Sequence, residues 1–600
     1  MKTERIQKAL RVLIAILIPI IIVLVQNLTF GKFNNPYTPE KYDFWVSFIV
    51  LSMFYILLIG LTKSVFRSTL IISIFSFVFL IINQYRIFVT NEAILPMDFS
   101  LLFQATEIGS LTTGYIEKFI QDYFLRFLLL LIVFIQIVLA SYYTKLKINT
   151  LSIRITTIII SLLIIILLFV PISSLQNFYL NVLLNRKNYN EFKSYSDTIT
   201  YYGYYGIVGG MYANILDSQM QKPNDYSKKE LEELLKNDFP QNNTEIKPNI
   251  ICIFSEAFWD INNIDEITFD KNPIQTFYDL KQEGKVIKAI SPSYGGMSEN
   301  VTMELCTGFS MNYFNVGYIP IMNYYSKDIS KNSPSIVKEL KNNGYYSKIL
   351  FGKDYYSSET AFKNMGFNDY YNYNIGDLKD EVIIDDIIND LKNKSNSPIF
   401  YLAETIENHM PYYIDKMSNY TINVTSSQKN EDSTNALLSY AQGIHNSVES
   451  FNKLYEFIKN FDEPTMIIFI GDHLPFIYSN ESNDLLMDMD YFNTNNKLLN
   501  LYHKYNTECL ILNNYNDNLD YMPEYIGPDG IFTKIINHIG IKSSNLYKWL
   551  DSTFNTLPSY NRYVFQTNNE LKTYDDLSNQ EKEVYRIKQQ MQYYMLFDNK

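Results

Sequence analysis

Thr465-Met466-Ile467-Ile468-Phe469-Ile470-Gly471-Asp472-His473 is an apolar run that ends on a carboxylate and an imidazole. A second stretch has the same form: Asn249-Ile250-Ile251-Cys252-Ile253-Phe254-Ser255 leads straight into Glu256. Short apolar runs without polar alternation read as strands buried on both faces, the pattern of a parallel sheet. In an open α/β sheet the C-terminal ends of parallel strands share one edge, and sites collect there. Glu256, Asp472 and His473 would therefore meet, and two carboxylates with one imidazole suit a divalent cation such as Mn²⁺, Mg²⁺ or Zn²⁺. Either segment alone reads equally well as an ordinary buried strand followed by polar loop residues. Together they favour the metal site.

Beyond Pro248, strand-like segments at 249–255, 285–290, 346–351, 398–402 and 465–470 alternate with helix-like ones near 299–307, 334–343, 381–393, 433–459, 529–539 and 576–595. This alternation predicts an α/β domain with a mostly parallel central sheet covered by helices. The Asn/Ser-rich stretches 415–432 and 479–497 read as surface loops.

Between the two ligand-bearing strands, Tyr294-Gly295-Gly296-Met297-Ser298-Glu299-Asn300 allows a tight turn and then starts an amphipathic helix. Ser298 falls at the helix N-terminus, where exposed N–H groups favour a phosphate. A metal beside its hydroxyl would make it a nucleophile. The alternative is a plain N-cap; Thr302, a turn further in, is a weaker rival for the nucleophile. The strand-like Pro398–Leu402 runs into Glu404-Thr405-Ile406-Glu407-Asn408-His409, placing His409 on the same edge, suited to contact a phosphate or move a proton. The other histidines, His445, His503 and His538, receive no chemistry.

The first third of the 600 residues has another composition. Five apolar runs, near 9–28, 43–62, 66–89, 122–144 and 153–174, approach the roughly 20 residues that cross a bilayer. Lys2, Arg5, Lys8, Arg11, then Lys63 and Arg67, then Lys145, Lys147 and Arg154 mark alternate ends as cytoplasmic. Five crossings from an inside N-terminus leave everything after about residue 175 outside. The first run lacks an Ala-x-Ala site and is followed by further spans, so it reads as an uncleaved anchor. Segment 90–120 would lie outside, along the headgroups, and Met211-Tyr212-Ala213 is a weak later cleavage site. The expected organisation is a transmembrane domain over 1–175, a linker over 176–246 and an extracellular catalytic domain over 247–600.

Three cysteines, Cys252, Cys306 and Cys509, argue against a disulfide framework in an exported domain. The net charge of −12 speaks against polyanion binding, and nucleic acid is no sensible partner for a chain exported this way.

With these residues in hand, the chain resembles the lipoteichoic acid synthase and phosphoglycerol transferase group of the alkaline phosphatase superfamily, whose catalytic domain is sulfatase-like. The matching motifs are Ser255-Glu256-Ala257-Phe258-Trp259-Asp260, the segment from Gly295-Gly296 to Thr307-Gly308, Asn408-His409-Met410-Pro411-Tyr412, Gly471-Asp472-His473-Leu474-Pro475 and the ending near Tyr593-Tyr594-Met595-Leu596-Phe597. The resemblance implies one divalent metal, usually Mn²⁺ with Mg²⁺ as the alternative, held by Glu256, Ser298, Asp472 and His473, and it puts His409 near the substrate. It implies that Ser298 takes phosphoglycerol from phosphatidylglycerol, releasing diacylglycerol, and passes it to a glycolipid or polymer acceptor at the cell membrane. Serine stands where the group usually has threonine. Tyr355-Tyr356-Ser357-Ser358 replaces a Phe-Trp-Asn-Arg-like run, so Ser358 stands where an arginine grips the headgroup. Lys353 and Tyr356 are then the remaining candidates for headgroup contact. Alternatives are transfer of phosphoethanolamine or another headgroup, and an inactive relative that binds envelope components. A sulfatase is disfavoured, because the Cys/Ser-x-Pro-x-Arg signature is absent.

Overall fold

The computed structural model describes residues 2–34, 45–90, 93–94, 113–169, 198–217, 220, 222–223, 225–241, 244–314, 318–354, 358–376, 378–427, 429–479 and 484–599. It divides into two compact units, one within Met1–Gln219 and one formed by Met220–Phe314 and Ile319–Lys600.

The first unit contains the five apolar helices expected from the sequence: Lys2–Asn34, Trp45–Thr62, Val65–Thr90, Thr113–Thr144 and Leu151–Phe169. Each contains a stretch long and apolar enough to cross a bilayer. Their outward side chains are apolar as well; Phe124, Leu125 and Leu129 are all more than half exposed. Such a surface suits lipid as its solvent. Polar groups turn inward instead, as where the Tyr55 and Thr69 hydroxyls pair at 2.9 Å. Segment 90–120 lies mostly outside the described residues. Met211, Tyr212 and Ala213 lie inside the helix Ile207–Asp217, with Tyr212 and Ala213 buried.

The second unit is built on strands β1 (Asn249–Ser255), β2 (Ile267–Phe269), β3 (Lys285–Ile290), β4 (Tyr346–Phe351), β5 (Asp369–Asn372), β6 (Ile399–Glu404), β7 (Val424–Ser427), β8 (Thr465–Gly471) and β9 (Asn506–Asn513). Seven of them form one sheet in the order β3-β9-β8-β1-β6-β4-β5. Strands β8, β1, β6, β4 and β5 are mutually parallel, while β9 runs antiparallel to both β8 and β3. Strands β1 and β8 are buried along their whole length, as continuous apolar runs require when both faces are covered.

Alternation along the strands assigns the two faces. Ile251, Ile253, Ile467 and Phe469 join the core shared with helices Asp380–Asn393 and Glu431–Lys459. On the opposite face, Phe400 packs edge-on against Phe532 of helix Pro528–His538, with ring centroids 5.2 Å apart. The result is a helix–sheet–helix sandwich whose strand C-terminal edge is left for loops.

Both stretches expected to be surface loops depart from expectation: 415–432 contains strand β7 and buries Met417 and Ile422. Within 479–497, Leu485, Leu486, Met489 and Phe492 are buried in the core, so the polar residues around them hide an apolar anchor. All three cysteines are free and buried, and Cys252 sits in β1 as a small hydrophobe.

Candidate metal centre and nucleophile

Strands β1 and β8 are neighbours, and their register pairs Ser255 with Gly471. Glu256 and Asp472 therefore leave the sheet side by side, each one residue past its strand. Gly471 is required here, because a Cβ would come within 2.2 Å of the Phe258 carbonyl oxygen. Ala257, at φ 50°, turns its N–H onto Asp472 Oδ1 at 2.7 Å, and the His473 N–H donates to the same oxygen at 2.7 Å. Asp472 Oδ2 is left facing the site. His473 Nδ1 donates to the Leu474 carbonyl at 2.8 Å, which leaves Nε2 as the ring nitrogen that faces the site.

The ligand atoms of Glu256, Asp472 and His473 lie within 4.8 Å of one another, and all three residues are buried. His473 Nε2 is 3.2 Å from Asp472 Oδ2 and 4.0 Å from Glu256 Oε1. Metal–ligand bonds of about 2.0–2.2 Å put ligand atoms about 3–4 Å apart, so the donor set fits a small divalent cation. Burial, and Asp472 beside it, push the Glu256 carboxyl well above the usual carboxylate range. A bound dication would relieve that repulsion.

Ser298 is the first residue of helix Ser298–Thr307. The N-cap is Met297, at φ 68° and with no side-chain capping bond, so Ser298 is not a cap. Gly295 at φ 67° and Met297 make the tight turn that aims the helix N-terminus at the strand edge. The Ser298 hydroxyl donates to Asp472 Oδ2 at 2.8 Å and lies 3.5 Å from His473 Nε2. Thr302 is occupied elsewhere: its hydroxyl contacts the Ser298 carbonyl at 3.1 Å and Glu404 Oε2 at 3.3 Å.

His409 N–H is bonded to the Ile406 carbonyl at 3.0 Å, and its Nδ1 donates to the Met410 carbonyl at 2.6 Å, leaving Nε2 unprotonated. Burial lowers its pKa to about 4, helped by Lys416, His473 and Lys353 nearby. His409 thus feels the positive charge of Lys353 and Lys416 and lies within electrostatic reach of His473. Tyr356 lies outside the described residues. Ser358 is tied down by Asp354, which accepts from its N–H at 2.5 Å and from its hydroxyl at 3.2 Å. His445 bonds the Pro273 carbonyl, His503 stacks on Tyr491 and His538 pairs with Asp517.

Sequence reasoning missed two buried acids beside Ser298. Glu299 follows Ser298 and is raised to about 8, mainly by burial and then by Asp354 and Asp472. Glu404, at the end of β6, is pushed well up by burial and by Glu299, Glu256 and Asp472. Position gave a signal for both, one adjoining Ser298 and the other ending a strand.

Residues 248–541 match the family model named Sulfatase. A curated relative, a putative cyclic beta-1,2-glucan modification protein of Rhizobium meliloti, is 30% identical over 239 residues. That match covers 38% of this chain and spans only 36% of the relative. Among solved structures, the Streptococcus pyogenes phosphoglycerol transferase GacH in complex with sn-glycerol-1-phosphate is similar at 19% identity, covering 63% of this chain and 95% of that one with a TM-score of 0.49. The Neisseria meningitidis lipooligosaccharide phosphoethanolamine transferase EptA, an integral membrane protein, is similar at 11% identity, covering 90% of this chain and 97% of that one with a TM-score of 0.49. Residues 248–541 of this chain, C-terminal to its five apolar helices, are similar to the Sulfatase family, a match over just under half of the chain.

Proposed function

We propose that this protein is a membrane-anchored, metal-dependent phosphotransferase that moves glycerol phosphate from phosphatidylglycerol to a cell-envelope glycolipid or polymer. The observation that carries this reading is the Ser298 hydroxyl, 2.8 Å from Asp472 Oδ2 and 3.5 Å from His473 Nε2, at a helix N-terminus. Glu256, Asp472, His473 and Ser298 would hold one divalent ion, Mn²⁺ by resemblance, which supplies a Lewis acid and lowers the hydroxyl pKa. Ser298 gives up its proton and its Oγ bonds to phosphorus; the bond from phosphorus to the diacylglycerol oxygen breaks, and that oxygen takes a proton. An acceptor hydroxyl then attacks the phosphoserine, its proton leaves, and Ser298 is regenerated. The N–H groups at the helix start favour the phosphoryl oxygens. Neutral His409 orients a substrate hydroxyl and accepts its proton in passing. Positive charge at alternate helix ends supports placing this chemistry outside the cytoplasmic membrane.

A second reading, transfer of an aminoalkyl headgroup such as phosphoethanolamine, is favoured by Glu299 and Glu404. Buried carboxyls near the headgroup would pair with an ammonium better than with glycerol hydroxyls. Diacylglycerol release from phosphatidylglycerol and from phosphatidylethanolamine vesicles, in parallel, tests both readings. Consumption of phosphatidylglycerol supports the first; consumption of phosphatidylethanolamine alone transfers the assignment to the second.

A further inference from the structure

The loop that carries His409 is clasped by a pair of buried acids that take no part in the chemistry above. Glu407 Oε2 accepts the Asp380 N–H at 2.9 Å, and Asp380 Oδ1 accepts the Glu407 N–H at 3.2 Å. Each carboxyl thus caps the backbone of the other residue. The remaining oxygens are satisfied from helix Glu431–Lys459: Ser447 donates to Asp380 Oδ2 at 2.6 Å and Asn446 donates to Glu407 Oε1 at 2.7 Å. Asp380 opens helix Asp380–Asn393, so three elements meet at this clasp, and both acids are buried.

The clasp also reaches the metal triad. The Glu256 N–H donates to the Thr405 hydroxyl at 3.3 Å. An Asn408 side-chain N–H donates to the Glu256 carbonyl at 3.4 Å. Both hydrogen bonds tie the backbone of Glu256 to the segment 405–408, whose Glu407 is held by Asp380, two residues before His409. Two acids buried together are costly unless something needs the geometry they impose.

We propose that Asp380 and Glu407 are positioning residues that hold His409 at a set distance from the metal triad, so that nucleophile and proton carrier engage the same phosphoryl group. The inference rests on the phosphotransfer reading above. A clasp of this kind acts through the side chain it orients, as outer-shell partners of metal ligands do.

The test is a double-mutant cycle in the full-length protein, reading diacylglycerol release with Mn²⁺ from whichever lipid the wild type consumes. Glu407→Ala is expected to lower kcat/KM about tenfold when His409 is present and by less than about twofold in a His409→Ala background. Glu407→Gln, which keeps an acceptor for the Asp380 N–H, should recover most of the loss. An equal fall in both backgrounds would mean that the acids only hold the fold, and no fall in either would mean that they do nothing; each overturns the proposal. If His409→Ala alone changes nothing, the assigned role of His409 fails, and the clasp proposal with it. If the wild type consumes neither lipid, the phosphotransfer reading fails, and NMR of labelled histidine decides the clasp by itself. The His409 titration should then move in Glu407→Ala from about 4 toward its ordinary value of 6.5; an unchanged titration sinks the clasp.

Discussion

Asp472 is the residue on which the site turns, because one carboxylate both organises the backbone and faces the Ser298 hydroxyl. Its Oδ1 is consumed by the Ala257 and His473 N–H groups, so only Oδ2 is left for Ser298. Ser298→Ala should therefore abolish turnover while leaving the fold intact, and Ser298→Thr should keep measurable activity because the hydroxyl survives; lipid turnover and thermal melting read the two effects apart. Gly471→Ala should destabilise by about 1–3 kcal/mol, since the new Cβ collides with a backbone oxygen that has little room to move. His409 supplies the pH dependence. Its folded pKa of about 4 lies below the unfolded 6.5, so the unfolded chain binds the proton first as the pH falls. The stability this contributes is complete above about 6.5 and is lost as the pH falls toward about 4. Melting temperature against pH should fall less steeply in His409→Gln than in the wild type. Glu256, Asp472 and His473 were legible because each closes an apolar run. Glu299 and Glu404 were not, because their meeting depends on strand register and on which way a helix points.

Helix Ser298–Thr307 shows what a whole element must do to present one hydroxyl. It is bounded by two left-handed residues, Met297 at φ 68° and Gly308 at φ 72°, so its start and end are both set by backbone turns. Its far half is pinned by Glu304, which accepts from the Met311 N–H at 2.6 Å and the Ser310 hydroxyl at 3.1 Å. Ser310 is in turn bonded to Gln592 of helix Asn579–Tyr593, and Lys588 of that helix makes a buried ion pair with Asp529 at 3.0 Å. Lys588→Met should destabilise the protein by about 3–5 kcal/mol, because Asp529 would be left charged and unpaired; chemical denaturation checks it. The longer helices and strands β1, β3, β4, β6 and β8 could be read from the sequence pattern, whereas the helices Gln275–Leu280, Glu359–Met365, Lys497–Tyr505 and Asn545–Thr553 could not. Strand β9 could not, because Asn506-Thr507-Glu508 disguises its start, and β5 is too short to stand out. The stretch 479–497 misled because its Asn, Ser and Asp residues outnumber the four apolar side chains that anchor it.

At the scale of the whole molecule, five helices are long and apolar enough to cross a bilayer, while the region similar to the Sulfatase family carries a Glu/Asp/His cluster that could hold a metal ion. Chelation should lower the melting temperature of the full-length protein in detergent, and Mn²⁺ at about a hundred times its Kd should restore about 2.7 kcal/mol. A single cysteine placed at exposed Lys229 should react with a membrane-impermeant maleimide in intact cells if the soluble domain lies outside, since the three native thiols are buried. The central claim is narrower than either: one serine, sharing its surroundings with a metal triad, takes the phosphoryl headgroup from a lipid. The direct measurement is diacylglycerol release from phosphatidylglycerol by the purified full-length protein with Mn²⁺, beside Ser298→Ala. Release that needs both the ion and Ser298 is the predicted result. Release that persists in Ser298→Ala would contradict the account, because the nucleophile would then lie elsewhere.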